Sequence, residues 1–287
     1  MTDIDFRKIL LDEPFPVYQL QRGRYLCSTQ LRVFARCPRT YYLQKTGAIT
    51  KPNEMSAEFV LGRAAHVLVL EGPREFNRCF AVGGPVNEKT GKEYGRDTQA
   101  FEKWERIQRA DKGTAVEFIT SELWHTISRM TASVANHGEA QKLLNHGVAE
   151  RVLRSDFRGV PVQARLDWFT EIGEIPVIVE LKTCADLDFF EHDARKYQYG
   201  IQLAFYQQIL LRSIFDEFGV ECAVPAKVYV VAVEKKEPFR CGVFEVPDHA
   251  LGHFADKIES AIESLKECQE MGEFPTRYET LRTLNIS

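Results

Sequence analysis

Residues 177–184 read VIVELKTC. Val177, Ile178 and Val179 are β-branched and apolar and announce a buried strand, which then runs into Glu180 and Lys182. Side chains on a strand alternate faces, so Glu180 and Lys182 share one face and Leu181 takes the other. Charge beside an apolar core is costly unless it is paired or bound to a metal. A surface ion pair at a frayed strand end answers that demand, and so does a metal-dependent catalytic site. The surrounding sequence has to choose.

Two segments upstream repeat the strand pattern. VAERVLRS (148–155), VPVQARLDWF (160–169) and IPVIVELKT (175–183) read as three successive strands, separated by DFRG and TEIGE turn chemistry. QYGIQLAFYQQILLRSIFDEFG (198–219) reads as an amphipathic helix and PAKVYVVAVEK (225–235) as an apolar strand. That strand–helix–strand order predicts a crossover and parallel pairing. RCGVFEVP (240–247) adds a strand, and residues 248–271 a closing helix.

The part before residue 147 has helical spacing. Ser28 is expected to cap a helix over TQLRVFARC, and SAEFVLGRAAHVLVLEG (56–72) gives a second, with Gly62 and His66 on one face. The glycine would let a neighbour approach the backbone beside the imidazole. GGPVNEKTGKEYG (83–95) reads as a loop, and helices are expected at 97–110 and 121–136. The fold class this predicts is α/β of the α+β type, a mixed central sheet with flanking helices and a helical N-terminal part. One domain is expected over 1–287, with residues 26–147 mostly helical, 148–246 the sheet core and 247–271 the closing helix.

Composition narrows the function classes. The 287 residues are 44% hydrophobic and 27% charged, an ordinary globular balance. No apolar run approaches the ~20 residues needed to span a bilayer, and MTDIDFRKILLDEPF lacks the apolar centre of a secretory signal. A cytoplasmic protein without a membrane segment is expected. Seven scattered cysteines without a C-x-x-C pair argue for reduced thiols, against a disulfide framework or a zinc site.

Net charge is −4, yet Pro14 to Asn53 contains no Asp or Glu and seven cations: Arg22, Arg24, Arg32, Arg36, Arg39, Lys45 and Lys51. Such a basic island is the electrostatic footprint of phosphate binding, although a solvated helix face has the same composition. Arg32, Arg36 and Arg39 fall at helical spacing on one face, provided Pro38 does not restart the helix.

Asp167 lies thirteen residues before Glu180 with a turn between, so an antiparallel pair brings its carboxylate to Glu180 and Lys182. Two carboxylates and a lysine suit a hard cation of the Mg²⁺ type, which takes one or two carboxylates and fills its other positions with water and phosphate oxygens. Glu150, placed just before the first strand, is a further candidate ligand. Each of these residues also has a bland reading, as a salt bridge, a strand-start acid or a satisfied core histidine.

The ordered set resembles the PD-(D/E)xK nuclease superfamily, and more narrowly the exonuclease VIII type and its RecB-like relatives. CSTQLRVFARCPRTYYLQK is similar to the opening helix, LGRAAH to the Gly-x-x-x-His motif, and GVPVQARLDWF to the strand bearing the acid, here Asp167. VELKT is similar to the acid-x-Lys strand and QLAFY to the Gln-x-x-x-Tyr helix, which carries over onto Gln202 and Tyr206. VAVEKKEPF resembles the segment that follows, and the likeness runs from about residue 26 to 275. Each motif alone is weak, and their order carries the case.

The resemblance implies a restriction-endonuclease-like core and a divalent-metal-dependent DNA exonuclease using Mg²⁺ or Mn²⁺. Asp167 and Glu180 would be metal ligands with His66 and Glu150 additional, Lys182 the catalytic cation, and Gln202 and Tyr206 its positioning partners. It further implies 5′-to-3′ resection of linear duplex DNA from its ends for recombination or repair, a ring-shaped homo-oligomer, and a single-strand annealing protein as partner. Some RecB-like relatives hold an iron–sulfur cluster whose first cysteine aligns with Cys37; only Cys268 lies in the C-terminal region, so no cluster is expected. A nuclease of single strands or flaps, and a non-catalytic DNA-binding subunit, stay open.

Overall fold

The computed structural model describes residues 4–49, 56–221 and 224–283, so Lys51 and Cys222 lie outside the described residues. Five strands form the central sheet: β3 (Val148–Phe157), β4 (Val160–Ile172), β5 (Ile175–Cys184), β6 (Lys227–Glu234) and β7 (Cys241–Glu245). Their spatial order is their chain order. Every neighbouring pair is antiparallel except β5–β6, which runs parallel from Val177–Lys227 to Cys184–Glu234. That change of direction needs a crossover, and the 20-residue helix α10 (Tyr199–Phe218) supplies it after the short α9 (Phe190–Lys196).

The alternation of β5 sorts the core. Ile178 faces one side, with Val162, Ala164 and Leu166 of β4, Val228, Val230 and Ala232 of β6, and Phe205, Ile209 and Leu210 of α10. The closing helix α11 (Asp248–Met271) joins this face through Ile258, Ile262 and Leu265. Val177, Val179 and Leu181 face the other side, with Val231 and Val233. The helical part covers that second face.

That part comprises α1 (Phe15–Leu20), α2 (Ser28–Arg36), α3 (Pro38–Lys45), α4 (Ala57–His66), α5 (Gly72–Cys79), α6 (Gln99–Lys112), α7 (Ser121–Ala135) and α8 (Gly138–Leu144). Ala64 and Ala65 of α4, Ile127, Met130 and Val134 of α7, and Ala140 and Leu143 of α8 pack under β5 and β6. α2 is the exception: Leu31 and Phe34 bury on the α10 face. A two-stranded parallel sheet of β1 (Phe80–Val82) and β2 (Glu117–Ile119) lies inside the helical part. The sequence pattern gave no sign of it, since three-residue strands show no period. No helix among the described residues is long and apolar enough to cross a membrane.

Two expectations near α2 need correction. Ser28 is the first residue of the helix, and Cys27 occupies the cap, its backbone N–H donating to the Gln30 side chain at 3.0 Å. Arg32, Arg36 and Arg39 do not line one helix, because α2 ends at Arg36 and Pro38 starts α3 after an extended Cys37. Proline is suited to that first helical position and cannot continue the preceding turn.

Candidate active site

The site forms where the β4 ladders stop being regular. On one side pairing passes from Arg151–Leu166 to Ala149–Trp168, leaving Glu150 and Asp167 opposite each other without a ladder pair. On the other, the β4–β5 register ends at Trp168–Val179. Glu150 has φ +57°, a left-handed conformation that costs a residue with a Cβ. It lies inside β3, two residues in, which corrects its expected place before the strand. The interruption turns both acids out of the alternating pattern and toward one another.

Asp167 takes up a donor that the ended ladder leaves over: its Oδ2 accepts from the Leu181 backbone N–H at 2.9 Å. α4 delivers His66 to the same atom, Nδ1 to Oδ2 at 3.4 Å. Directly after His66 the chain widens into a π-turn over Val67–Glu71, a feature that marks many functional sites. Ligand atoms of His66, Glu150 and Asp167 all lie within 4.8 Å of one another. Gly62, one turn before His66, faces β5, but a Cβ there would meet Thr183 Oγ1 at an ordinary 3.7 Å. The close approach expected of that glycine is therefore not demanded by the packing.

Glu180 and Lys182 share the α10 face of β5, as the alternation required. Glu180 is 1% exposed, and its Oε1 accepts from Lys182 Nζ and, at 2.6 Å, from Gln202 Nε2. Gln202 Nε2 also donates to Tyr206 Oη at 2.9 Å, and Gln202 Oε1 stands 3.4 Å from Lys182 Nζ. Gln202 and Tyr206 are one helical turn apart, so the pair forms a rigid brace over Glu180. Glu180 Oε2 is buried and has no hydrogen-bond partner among the described residues.

The electrostatics follow from crowding. Burial, reinforced by the charge of Asp167, pushes the Glu180 carboxyl up, and the same two causes push Glu150 well above the carboxylate range. Burial also raises Asp167, against the pull of Lys182 and the Leu181 N–H. On Lys182, burial acts downward and is outweighed by Glu180 and Asp167, so the ammonium is held charged. Burial and the Lys182 charge bring His66 down to about 4, so its imidazole is neutral at neutral pH.

Three buried carboxylates that repel one another, a neutral imidazole and an orphaned glutamate oxygen make a donor set suited to a hard divalent cation. Among the described residues this is the one such grouping, and it contains no cysteine.

Three neighbours escaped the sequence reading. Arg165 pairs with Glu150 at 2.9 Å, and the Glu71 carboxyl adds to the charge that raises Glu150. Tyr199 places its ring 5.0 Å from Lys182 Nζ. Tyr199 sits three residues before Gln202, so helical periodicity extended backward from the Gln-x-x-x-Tyr pattern would have found it. Of the basic island, Arg32 reaches this region, its Nη1 donating to the Tyr197 carbonyl at 2.9 Å. Arg22, Arg24, Arg39 and Lys45 lie over the rings of Tyr18, Tyr25, Tyr42 and Tyr41, and Arg36 is exposed at the end of α2.

The family model described as "PDDEXK-like domain of unknown function (DUF3799)" matches residues 27–285. A solved structure from Eubacterium rectale, described as a "putative exonuclease", superposes with TM-score 0.62 at 14% identity, covering 96% of this chain and 97% of that one. That likeness shows a shared fold. The structure of SSO0001 aligns over 88% of each chain at 12% identity with TM-score 0.35, too distant to bear on this chain. Among curated proteins none matches.

Proposed function

We propose that this chain, which belongs to the PD-(D/E)xK nuclease superfamily through the PDDEXK-like family DUF3799, is a divalent-metal-dependent deoxyribonuclease that resects linear duplex DNA from its ends. The observation that carries the reading is the buried Glu180 carboxylate, one oxygen unpartnered, set beside Asp167 and a charged Lys182. A structural ion pair would use both oxygens.

Asp167, Glu180, His66 and Glu150 are the residues that would hold the cation, Mg²⁺ or Mn²⁺. When bound it supplies Lewis-acid neutralisation of phosphate charge and acidifies a water for attack. The chain's own groups do the rest. Lys182 presents N–H donors and a positive charge to the phosphate and orients the attacking water. Gln202 fixes Glu180 through Oε1 and leaves Oε2 free, and Tyr206 acts through Gln202. His66, held neutral, offers a lone pair. Arg32 and its basic neighbours draw the DNA backbone toward this cleft.

On this reading the helical part 26–147 contributes His66, the sheet core 148–246 the acids and Lys182, and the helix 247–271 closes one face, all within a single catalytic unit. The end-directed, 5′-to-3′ part rests on the motif resemblance, and the name of the Eubacterium rectale neighbour accords with exonuclease action. The same resemblance supports a role in recombination or repair, a ring-shaped oligomer and a single-strand annealing partner.

End-labelled linear duplex, a closed circle of the same sequence and Mg²⁺ or Mn²⁺ test the proposal, with Lys182→Ala as control. Loss of the linear DNA alone, released as nucleotides by the native chain and not by the variant, is the expected result. Intact linear DNA under both metals would refute it.

A further inference from the structure

A groove of about 590 Å³ lies between α2, the α9–α10 junction and α11, on the far side of the α10 N-terminus from Glu180. Its floor is apolar, built from Leu31, Ile201 and Ile258. The Phe254 ring forms one wall and lies so close to the α10 backbone that a Cβ on Gly200 would fall 2.0 Å from it. Glycine at position 200 is what lets the ring seat there.

The rim is cationic. Arg195, Lys257 and Arg277 line it together with His253, against the single acid Asp256. These charges are little used inside the protein. Arg195 stands 3.7 Å from Glu191, both about three-quarters exposed, a pairing worth ~0–1 kcal/mol. Arg277 gives one N–H to the Ala35 carbonyl at 2.6 Å, and Lys257 lies over Phe254 at 5.2 Å. Among the described residues no carboxylate is within ion-pair distance of either.

The groove is continuous with the candidate active site. Ile201 points into the groove while the next residue, Gln202, holds Glu180. Gln198 lines the groove, and its two flanking rings, Tyr197 and Tyr199, stack at 6.0 Å. Tyr199 then meets Lys182, and Tyr197 anchors Arg32. A run of aromatic and cationic groups thus leads from the reacting end to the groove. An apolar floor under a cationic rim matches a strand whose bases and sugars are uncovered, with phosphates tracking the charges. A duplex turns its bases inward and would leave the floor unused.

We propose that this groove is a second subsite, holding a single-stranded stretch of the nucleic acid next to the phosphate at Lys182. The identity of the polymer rests on the nuclease reading; the groove's affinity for it does not depend on cleavage. The test is therefore a binding measurement in EDTA, where no metal-dependent hydrolysis proceeds.

Anisotropy of a labelled oligothymidylate is titrated with the full chain, alongside a duplex of equal length. Arg195→Glu combined with Lys257→Glu is expected to weaken single-strand binding about tenfold or more and to reduce the salt slope by about one. Asp256→Lys, which adds charge to the same rim, is expected to strengthen it, and this opposite sign guards against a variant that has merely lost its fold. Binding unchanged in both variants would overturn the subsite, and an equal loss on duplex would overturn its single-strand assignment. Failure of the nuclease reading shows separately, as intact DNA in the cleavage assay.

Discussion

Glu180 on β5 and Glu234 on β6 sit on neighbouring parallel strands, 1% and 3% exposed. Glu234 is saturated: it accepts from the Leu187 and Arg240 backbone N–H groups and from the Arg240 guanidinium, which also engages Asp186 and Asp188. The Arg240 hydrogen bonds hold its carboxyl down at about 2. Glu180 has one oxygen filled and one left over, and its carboxyl is pushed up by burial and by Asp167. The same side chain thus serves two ends. A carboxylate that has used all its acceptor capacity ties strands and loops together, whereas one kept short of partners retains capacity for a cation.

The comparison breaks first on activity. Glu180→Gln is expected to lower DNA cleavage by about 10³-fold, since metal charge stabilisation supplies several kcal/mol, with little change in melting temperature. Glu234→Gln is expected to do the reverse, lowering stability by about 2 kcal/mol while cleavage per folded molecule persists. Urea midpoints and initial rates on both variants decide the matter. A destabilised Glu180 variant with an inactive Glu234 variant would invert the assignment.

Acid sharpens the contrast. Glu234 has a folded pKa below its ordinary value, so its contribution is complete above about pH 4.5 and is lost as pH falls toward about 2. The stability gap between the native chain and Glu234→Gln should therefore close across that window. A gap that stays constant would show that the charge of Glu234 contributes nothing.

A smaller effect is expected at Glu150. Its neutralisation in Glu150→Gln keeps the backbone nearly as it is and removes one repelling charge, so cleavage should fall about tenfold and saturate at higher metal concentration. Loss as large as that of Glu180→Gln would make Glu150 an equal partner.

Much of this arrangement was legible in the sequence. The alternation of VIVELKTC placed Glu180 and Lys182 on one face, the turn after Asp167 forecast an antiparallel neighbour, and the spacing of Gln202 and Tyr206 set both over that face. These are local periodicities, which short-range sterics fix. The break at Glu150 and Asp167 was not legible, because a left-handed glutamate between two ladders is held by packing from α4 and β4, far away in the chain. Arg165 likewise looked like any alternating polar residue until its partner across the strand was known. The basic island was visible as composition, but Pro38 split its helix, and Arg32 found its place through a carbonyl 165 residues away.

The most direct test is a calorimetric Mn²⁺ titration of the native chain, Glu180→Gln and Glu234→Gln. The account predicts binding in the native chain and in Glu234→Gln, and its loss in Glu180→Gln. Equal Mn²⁺ binding by all three would contradict it, and the spare oxygen of Glu180 would then have no part in holding a cation.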